Sequence, residues 1–225
     1  MLNYTQREEI PQGEGFFVRA ATSVPRTARS RRTRAALLDG AWRLIATEGF
    51  ESLTMAAVAA SAGVSRRAVY LHFRSRGELV TSLFEHVNEI EGLAASLGRV
   101  WEANDSLAAL KEWAAHLARF HPRVLPVSRA TERVRRTDPD VHALWEIVMD
   151  DRHRACRRLA GWLKREGRLA SPWTARAAAD MLWALMSDEV LEGLLSEQGW
   201  TPRRYGEHME TLLMATFVRR PDGDR

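Results

Sequence analysis

The stretch TMAAVAASAGVSRRAVYLHFRSRGEL, residues 54–79, decides the fold. Thr54 is placed to cap a short helix through Ser61, whose inward face is Val58, Ala59 and Ala62. Gly63 supplies the left-handed residue that ends this helix, because a residue without Cβ enters that region at no steric cost. Val64 then drops into the turn, and Ser65 caps a second short helix through Leu71. Two short helices around a glycine turn form a helix-turn-helix, the second helix of which enters the DNA major groove. Ser75-Arg76-Gly77-Glu78 follows as a Ser-x-x-Glu capping box that starts a third helix.

Thr54, Val58-Ala59, Ala62-Gly63-Val64-Ser65, Val69-Tyr70, His72-Phe73, Ser75-Arg76 and Leu79 together follow the signature of TetR/AcrR regulators, which this chain resembles from about Arg31 to Val87. Beyond that stretch the resemblance is one of length and helix pattern alone. Two departures are mild: Ala68 stands where Gly or Thr is common, and Arg76 where Lys is usual. Ser65, Arg66, Arg67 and Ala68 fall at the N-terminal end of the reading helix, the end that reaches base edges. Arg66 and Arg67 each have the fork that pairs with guanine O6 and N7, or alternatively grips phosphate. The resemblance implies that Tyr70 and His72, flanking a buried Phe73, face the DNA backbone. Thr54 and Arg76 sit at helix N-termini, where N–H groups converge on phosphate. Arg31, Arg32 and Arg34 are expected to precede the first helix and grip the flanking backbone or minor groove.

The charge distribution agrees with a phosphate partner. Residues 26–76 hold ten arginines against Asp39, Glu48 and Glu51, a net +7 in a chain of 225 residues whose total is +4. A basic module beside a mildly acidic body is the footprint of a protein that meets nucleic acid. Cys156 is the only cysteine, which excludes an intrachain disulfide and suits a cytoplasmic, reducing location. The sequence has no run of about 18 apolar residues and no secretory signal pattern, so no membrane partner is expected. Residues 1–27 lack periodicity and read as a mobile arm, 28–74 as the helix-turn-helix domain, and 75–225 as a linking helix and a helical effector-binding and dimerisation domain. Helical spacing recurs throughout: Leu37, Ala41, Leu44 and Ile45 before Gly49; Leu79, Leu83, Val87 and Ile90; and Val141 to Leu163, entered through Asp138-Pro139. Two further long helices are expected to begin near Pro172 and near Thr201-Pro202. No stretch alternates with period two, so the expected class is all-α.

Between Ala177 and Met186 the only polar residue is Asp180, so this segment calls for cover on two sides. Met181 and Leu185 of this segment, with Tyr205, Met209, Leu212, Leu213 and Phe217 of the last helix, are the expected interface of a homodimer. The resemblance implies a four-helix interface of this kind. A two-fold dimer presents two reading helices about 34 Å apart, suiting a palindromic operator in double-stranded DNA. The chain holds eight tryptophans. Trp113, Phe120, Trp145, Met149, Trp183 and Met186 fall on the inward faces of three helices that the resemblance implies enclose a cavity, and they are expected to line a pocket for a small, flat effector that is apolar, aromatic or cationic. Core packing is the competing reading of each one taken singly.

His116, His121, His142 and His153 lack metal-ligand spacing and read as surface or helix-end residues, so no metal or cofactor is expected. Gly-rich phosphate loops, zinc-protease motifs and nucleophile elbows are absent, and mid-helix Cys156 reads as an inert small hydrophobe, so no catalysis is expected. The expectation is a DNA-binding regulator, a repressor released from its operator by a small molecule. Its rival is a ligand-independent DNA binder or protein-interaction dimer, which would have a C-terminal body packed solid.

Overall fold

Helix starts in this chain are written as Ser, Thr or Asp. A computed structural model describes residues 27–219, and the arm expected over residues 1–27 lies, apart from Thr27, outside the described residues. The helices are α1 (Ala28–Glu48), α2 (Met55–Ser61), α3 (Arg66–Tyr70), α4 (Arg76–Ile90), α5 (Leu93–Trp101), α6 (Ser106–Val134), α7 (Pro139–Arg165), α8 (Ala175–Ala184), α9 (Asp188–Glu192) and α10 (Pro202–Phe217). All but α5 begin on a residue whose side chain accepts a hydrogen bond from an N–H of the first turn: Thr27, Thr54, Ser65, Ser75, Asp105, Asp138, Thr174, Ser187 and Thr201. Each such cap stabilises its helix by about 1 kcal/mol. Gly63, at φ +65°, makes the turn between α2 and α3. Among the described residues the only β pairing is an isolated bridge between Leu169 and Val218, so the fold is all-α as expected. No described helix is long and apolar enough to cross a membrane.

Two apolar cores share one long helix. The first gathers Leu37, Leu38 and Ala41 of α1, Val58 of α2, Val69, Phe73, and Leu79, Val80 and Leu83 of α4. Phe120, Val124 and Val127 from the second half of α6, with Val141 and Leu144 of α7, close it. The second core takes Leu110, Trp113, Ala114 and Leu117 from the first half of α6, then Leu159 and Leu163 of α7, Ala178 and Leu182 of α8, and Leu213 and Phe217 of α10. Helix α6 carries Pro122 and Pro126 inside it without ending, although each proline removes an N–H from the helical ladder.

Three expectations are corrected. The first helix begins at Ala28, so Arg31, Arg32 and Arg34 lie inside it, because Thr27 accepts from Ser30 N–H at 3.2 Å and starts the helix earlier than the apolar stripe does. The apolar segment 177–186 is not one long helix: α8 ends at Ala184, and Leu185 and Met186 form the turn into α9. Four of the seven residues expected at the dimer interface are unavailable to a partner. Tyr205, Met209, Leu213 and Phe217 are 0–5% exposed and packed into the second core, because the single apolar stripe of α10 is spent on its own chain. Met181 and Leu212 remain exposed at 41% and 44%, and Leu185 is half-buried.

This difference between sequence neighbours is measurable. Leu213→Ala, emptying a fully buried site, should cost about 2–5 kcal/mol in urea unfolding at fixed protein concentration. Leu212→Ala should cost less than about 1 kcal/mol if its surface is free. Equal costs would mean that the stripe of α10 is oriented differently.

Candidate nucleic-acid interface and internal cavity

Thr54, Ser65, Arg66, Arg67 and Tyr70 are exposed, while Ala68 and His72 are half-buried. The Thr54 hydroxyl accepts from Ala57 N–H at 3.1 Å, and the Ser65 hydroxyl from Ala68 N–H at 3.2 Å. Both caps leave the hydroxyl proton free to donate outward. Arg66 Nη2 donates to the Tyr70 hydroxyl at 3.4 Å, with its guanidinium 5.7 Å from the ring centroid. Tyr70, 43% exposed, is therefore no core residue; Val69 and Phe73, both fully buried, do that packing. Burial, helped by the Arg34 charge, lowers the His72 pKa, so its imidazole is neutral at pH 7.

Arg31 and Arg32 are exposed on the first turns of α1. Arg34 is a correction. It turns inward, donating from Nη2 to the buried Ser82 hydroxyl of α4 at 2.8 Å, and its guanidinium lies 5.1 Å from the Phe73 ring centroid. Through Ser82 and the Phe73 face it ties α1 to α4.

Arg76 has partners within the DNA-free protein. It stands at the N-terminus of α4 as expected, but its guanidinium is already engaged. Nε donates to the Leu53 carbonyl at 2.8 Å, while Nη1 and Nη2 meet the two oxygens of Asp138 at 3.0 and 2.7 Å. Asp140 lies 3.4 Å away. Asp138 is also the cap of α7, accepting from the N–H groups of Asp140 and Val141 at 3.1 and 3.2 Å. Burial pushes the Asp138 carboxyl up, but the Arg76 hydrogen bond and the cap N–H groups outweigh it and hold the pKa below the usual carboxylate value. Gly77 makes this junction close: a Cβ there would stand 2.6 Å from Asp140 Oδ1. A two-pronged, charge-assisted contact thus joins the reading module to the first turn of α7.

Further along α7, a cavity of about 330 Å³ opens between α4, α5, α6, α7, α8 and α9. All six residues expected to line a pocket do line it: Trp113, Phe120, Trp145, Met149, Trp183 and Met186. The solid body required by the rival reading is not what the fold contains. The wall also contains residues the sequence reading misplaced. His116 and His121 are 2% and 6% exposed, not surface residues. Burial, helped by Arg119 and Arg152, lowers the His116 pKa to about 3, and burial with the Arg152 charge holds His121 well below the usual histidine value, so both rings are neutral. His116 stacks on Phe120 at 5.6 Å and hydrogen-bonds the Ser96 hydroxyl through Nδ1 at 2.9 Å. Their signal was present, since His116 falls three residues after Trp113 and four before Phe120, on one helical face. Arg152 likewise follows Trp145 and Met149 at seven and three residues. Cys156 is fully buried, its thiol pKa pushed up to about 12 by burial, and its Sγ lies 3.7 Å from Met186 Sδ, which fits an inert core residue. His142 is exposed beside Trp145, and His153 stacks on Trp183 at 4.9 Å. Among the described residues no cluster of His, Cys, Asp or Glu forms a metal site.

A helix-turn-helix followed by a helical body with an internal cavity defines a one-component DNA-binding regulator. Residues 37–83 match the family described as bacterial regulatory proteins, tetR family. The chain is 27% identical over 193 residues to the HTH-type transcriptional repressor BepR of Brucella suis biovar 1, covering 77% of this chain and 86% of that protein. A transcriptional regulator from Saccharomonospora viridis in complex with choline matches with TM-score 0.68 and 17% identity, over 84% of this chain and all of that one. The SmeT–triclosan complex matches with TM-score 0.68 and 19% identity, over 85% of this chain and 93% of that one. Over residues 37–83 the chain carries the tetR-family helix-turn-helix, and over most of its length it is similar to HTH-type transcriptional regulators.

The exposed reading surface yields a graded expectation in fluorescence titrations on an operator. If the exposed Tyr70 hydroxyl meets the DNA backbone, Tyr70→Phe should weaken binding by a similar factor on every DNA sequence. Arg67→Ala should cost roughly 1–3 kcal/mol per half-site on the native operator and little on one altered at the matching guanine. Equal losses on both operators would demote Arg67 to a phosphate grip.

Proposed function

We propose that the protein is a homodimeric repressor that grips a palindromic operator in double-stranded DNA and lets go when a small apolar or aromatic effector fills the cavity. In this reading residues 28–74 read DNA, and residues 75–225 link, bind the effector and dimerise. The observation that carries it is the span of α7. Its cap, Asp138, holds Arg76 of the reading module, and within about three turns the same helix gives Leu144, Trp145, Val148 and Met149 to the cavity wall. A ligand that spreads these side chains displaces the start of α7, and α4 moves with it.

The magnitudes are compatible. Allosteric couplings run to about 1–3 kcal/mol, a loss of roughly 5–150-fold in operator affinity. Hydrogen bonds to charged groups contribute about 1.5–3 kcal/mol each, so altering the Arg76–Asp138 contact is enough. The effector acts only through its preference for the released arrangement. BepR is named a repressor, and two proteins of the same fold hold choline and triclosan, which supports both halves of the reading. Engagement of chromosomal DNA places the protein in the cytoplasm.

The dimer contact falls on the exposed sides of α8 and α10, around Met181, Leu185 and Leu212. Met181→Glu with Leu212→Glu should give monomers in sedimentation at micromolar concentration, while circular dichroism stays helical. Persisting dimers would move the interface elsewhere.

Blocking the cavity tests the switch. Ala155, 5% exposed, stands in its wall. Ala155→Trp should leave operator binding within about threefold of wild type, yet abolish both ligand quenching of tryptophan emission and ligand-driven release of DNA. Release by the same ligand in the folded variant would separate the cavity from the switch.

A further inference from the structure

The cavity wall holds one charge that the protein leaves unanswered. Arg152 of α7 is half-buried and, among the described residues, makes no hydrogen bond or ion pair. The other charged groups of the wall have partners. Glu132 accepts from Arg135 at 2.6 Å, and Arg135 itself lies 4.2 Å from the Trp145 ring centroid. Asp151 is held by Arg154, and Glu189 by Arg129 at 3.4 Å. Asp188 accepts from the Ser128 hydroxyl; its field reaches Arg152, but it forms no ion pair with it. The groups facing Arg152 from α6, His116 and His121, are neutral, and Cys156 beside it on α7 is protonated. Burial lowers the Arg152 pKa, the mark of a guanidinium short of water. Two indole N–H groups of the same wall, on Trp113 and Trp183, are also buried without an acceptor. The wall is therefore rich in unspent donors, while each of its carboxylates already accepts a hydrogen bond.

We infer that Arg152 anchors the anionic group, a carboxylate or phenolate, of an amphipathic effector whose apolar body lies against Phe120, Trp145 and Trp183. This rests on the reading of the cavity as the effector site. The guanidinium fork matches a planar carboxylate in two parallel hydrogen bonds, and the surrounding apolar wall strengthens them by excluding water. A cationic ligand, in contrast, meets Glu132, Asp151 and Glu189 already paired with Arg135, Arg154 and Arg129, and Asp188 held by the Ser128 hydroxyl, with Arg152 repelling it.

The test uses three probes of one shape: 2-naphthoate, 2-naphthamide and 2-naphthylmethylammonium. They are titrated calorimetrically at pH 7 into the full chain and into Arg152→Met and Arg152→Lys. Wild type should bind the carboxylate at least about tenfold tighter than the amide, a difference of about 1.4 kcal/mol, and the cation most weakly. Arg152→Met should erase the preference for carboxylate over amide while amide affinity stays within about threefold. Arg152→Lys, which keeps the charge but loses the fork, should retain part of it; this variant decides the matter if Arg152→Met does not fold. Strongest binding of the cation, equal binding of carboxylate and amide to wild type, or an unchanged preference in either folded variant overturns the anchor and leaves the cavity as an effector site. Failure of all three probes to bind wild type overturns the anchor together with the effector reading.

Discussion

Everything in this structure depends on the apolar face of α6 being long enough to serve two cores. Its first half packs Leu110, Trp113 and Leu117 against α7, α8 and α10, and its second half packs Phe120, Val124 and Val127 against α1 and α4. Each fully buried Leu or Phe side chain stabilises by about 1.5–3 kcal/mol relative to exposure. The two halves of the molecule are thus held to a common rod by apolar burial, not by surface ion pairs. Exposed pairs such as Arg203–Glu207 on α10 contribute under about 1 kcal/mol. A helix that belongs to both cores also keeps the cavity at their boundary from collapsing, since Phe120 closes one core and lines the cavity as well.

The junction at Arg76 adds direction to that attachment. An arginine at the start of α4 has two possible uses: phosphate in the DNA-bound protein, or a carboxylate in the free one. Asp138 is a strong competitor because the cap hydrogen bonds fix its position and stabilise its charged form, so little entropy is lost when Arg76 pairs with it. Ser75 and Glu78 brace the same end of α4, with Ser75 Oγ accepting from Glu78 N–H at 3.1 Å and Glu78 accepting from Arg74 N–H at 2.7 Å. The start of α4 is therefore fixed to the first turn of α7, the helix that further along lines the cavity. The two sites differ in their surroundings: the arginines of α3 are exposed to water, whereas the cavity is enclosed by a largely apolar wall whose carboxylates each have a partner within the protein.

The sequence by itself determined what depends on local spacing and capping. The helix-turn-helix from Thr54 to Tyr70, its Gly63 turn, the capping of α4 by Ser75, and the start of α7 at Asp138-Pro139 all follow from interactions within a few residues. Spacing put the six aromatic and methionine residues of the cavity wall on inward helix faces, but that these faces enclose a cavity and not a solid core came from the resemblance. His116, His121 and Arg152 were readable by the same spacing, on the faces of Trp113 and Trp145, but polar residues are ordinarily assigned to the surface. Only the tertiary structure decided where long side chains with more than one possible partner go. Arg34 and Arg76 look like phosphate contacts in the sequence, yet Ser82 and Asp138, 48 and 62 residues away, claim them. Tyr205, Met209, Leu213 and Phe217 form a stripe equally suited to a partner or to their own α6. Periodicity gives the face of a helix but not its neighbour, and the neighbour here was fixed by the long-range packing of α10 along α6.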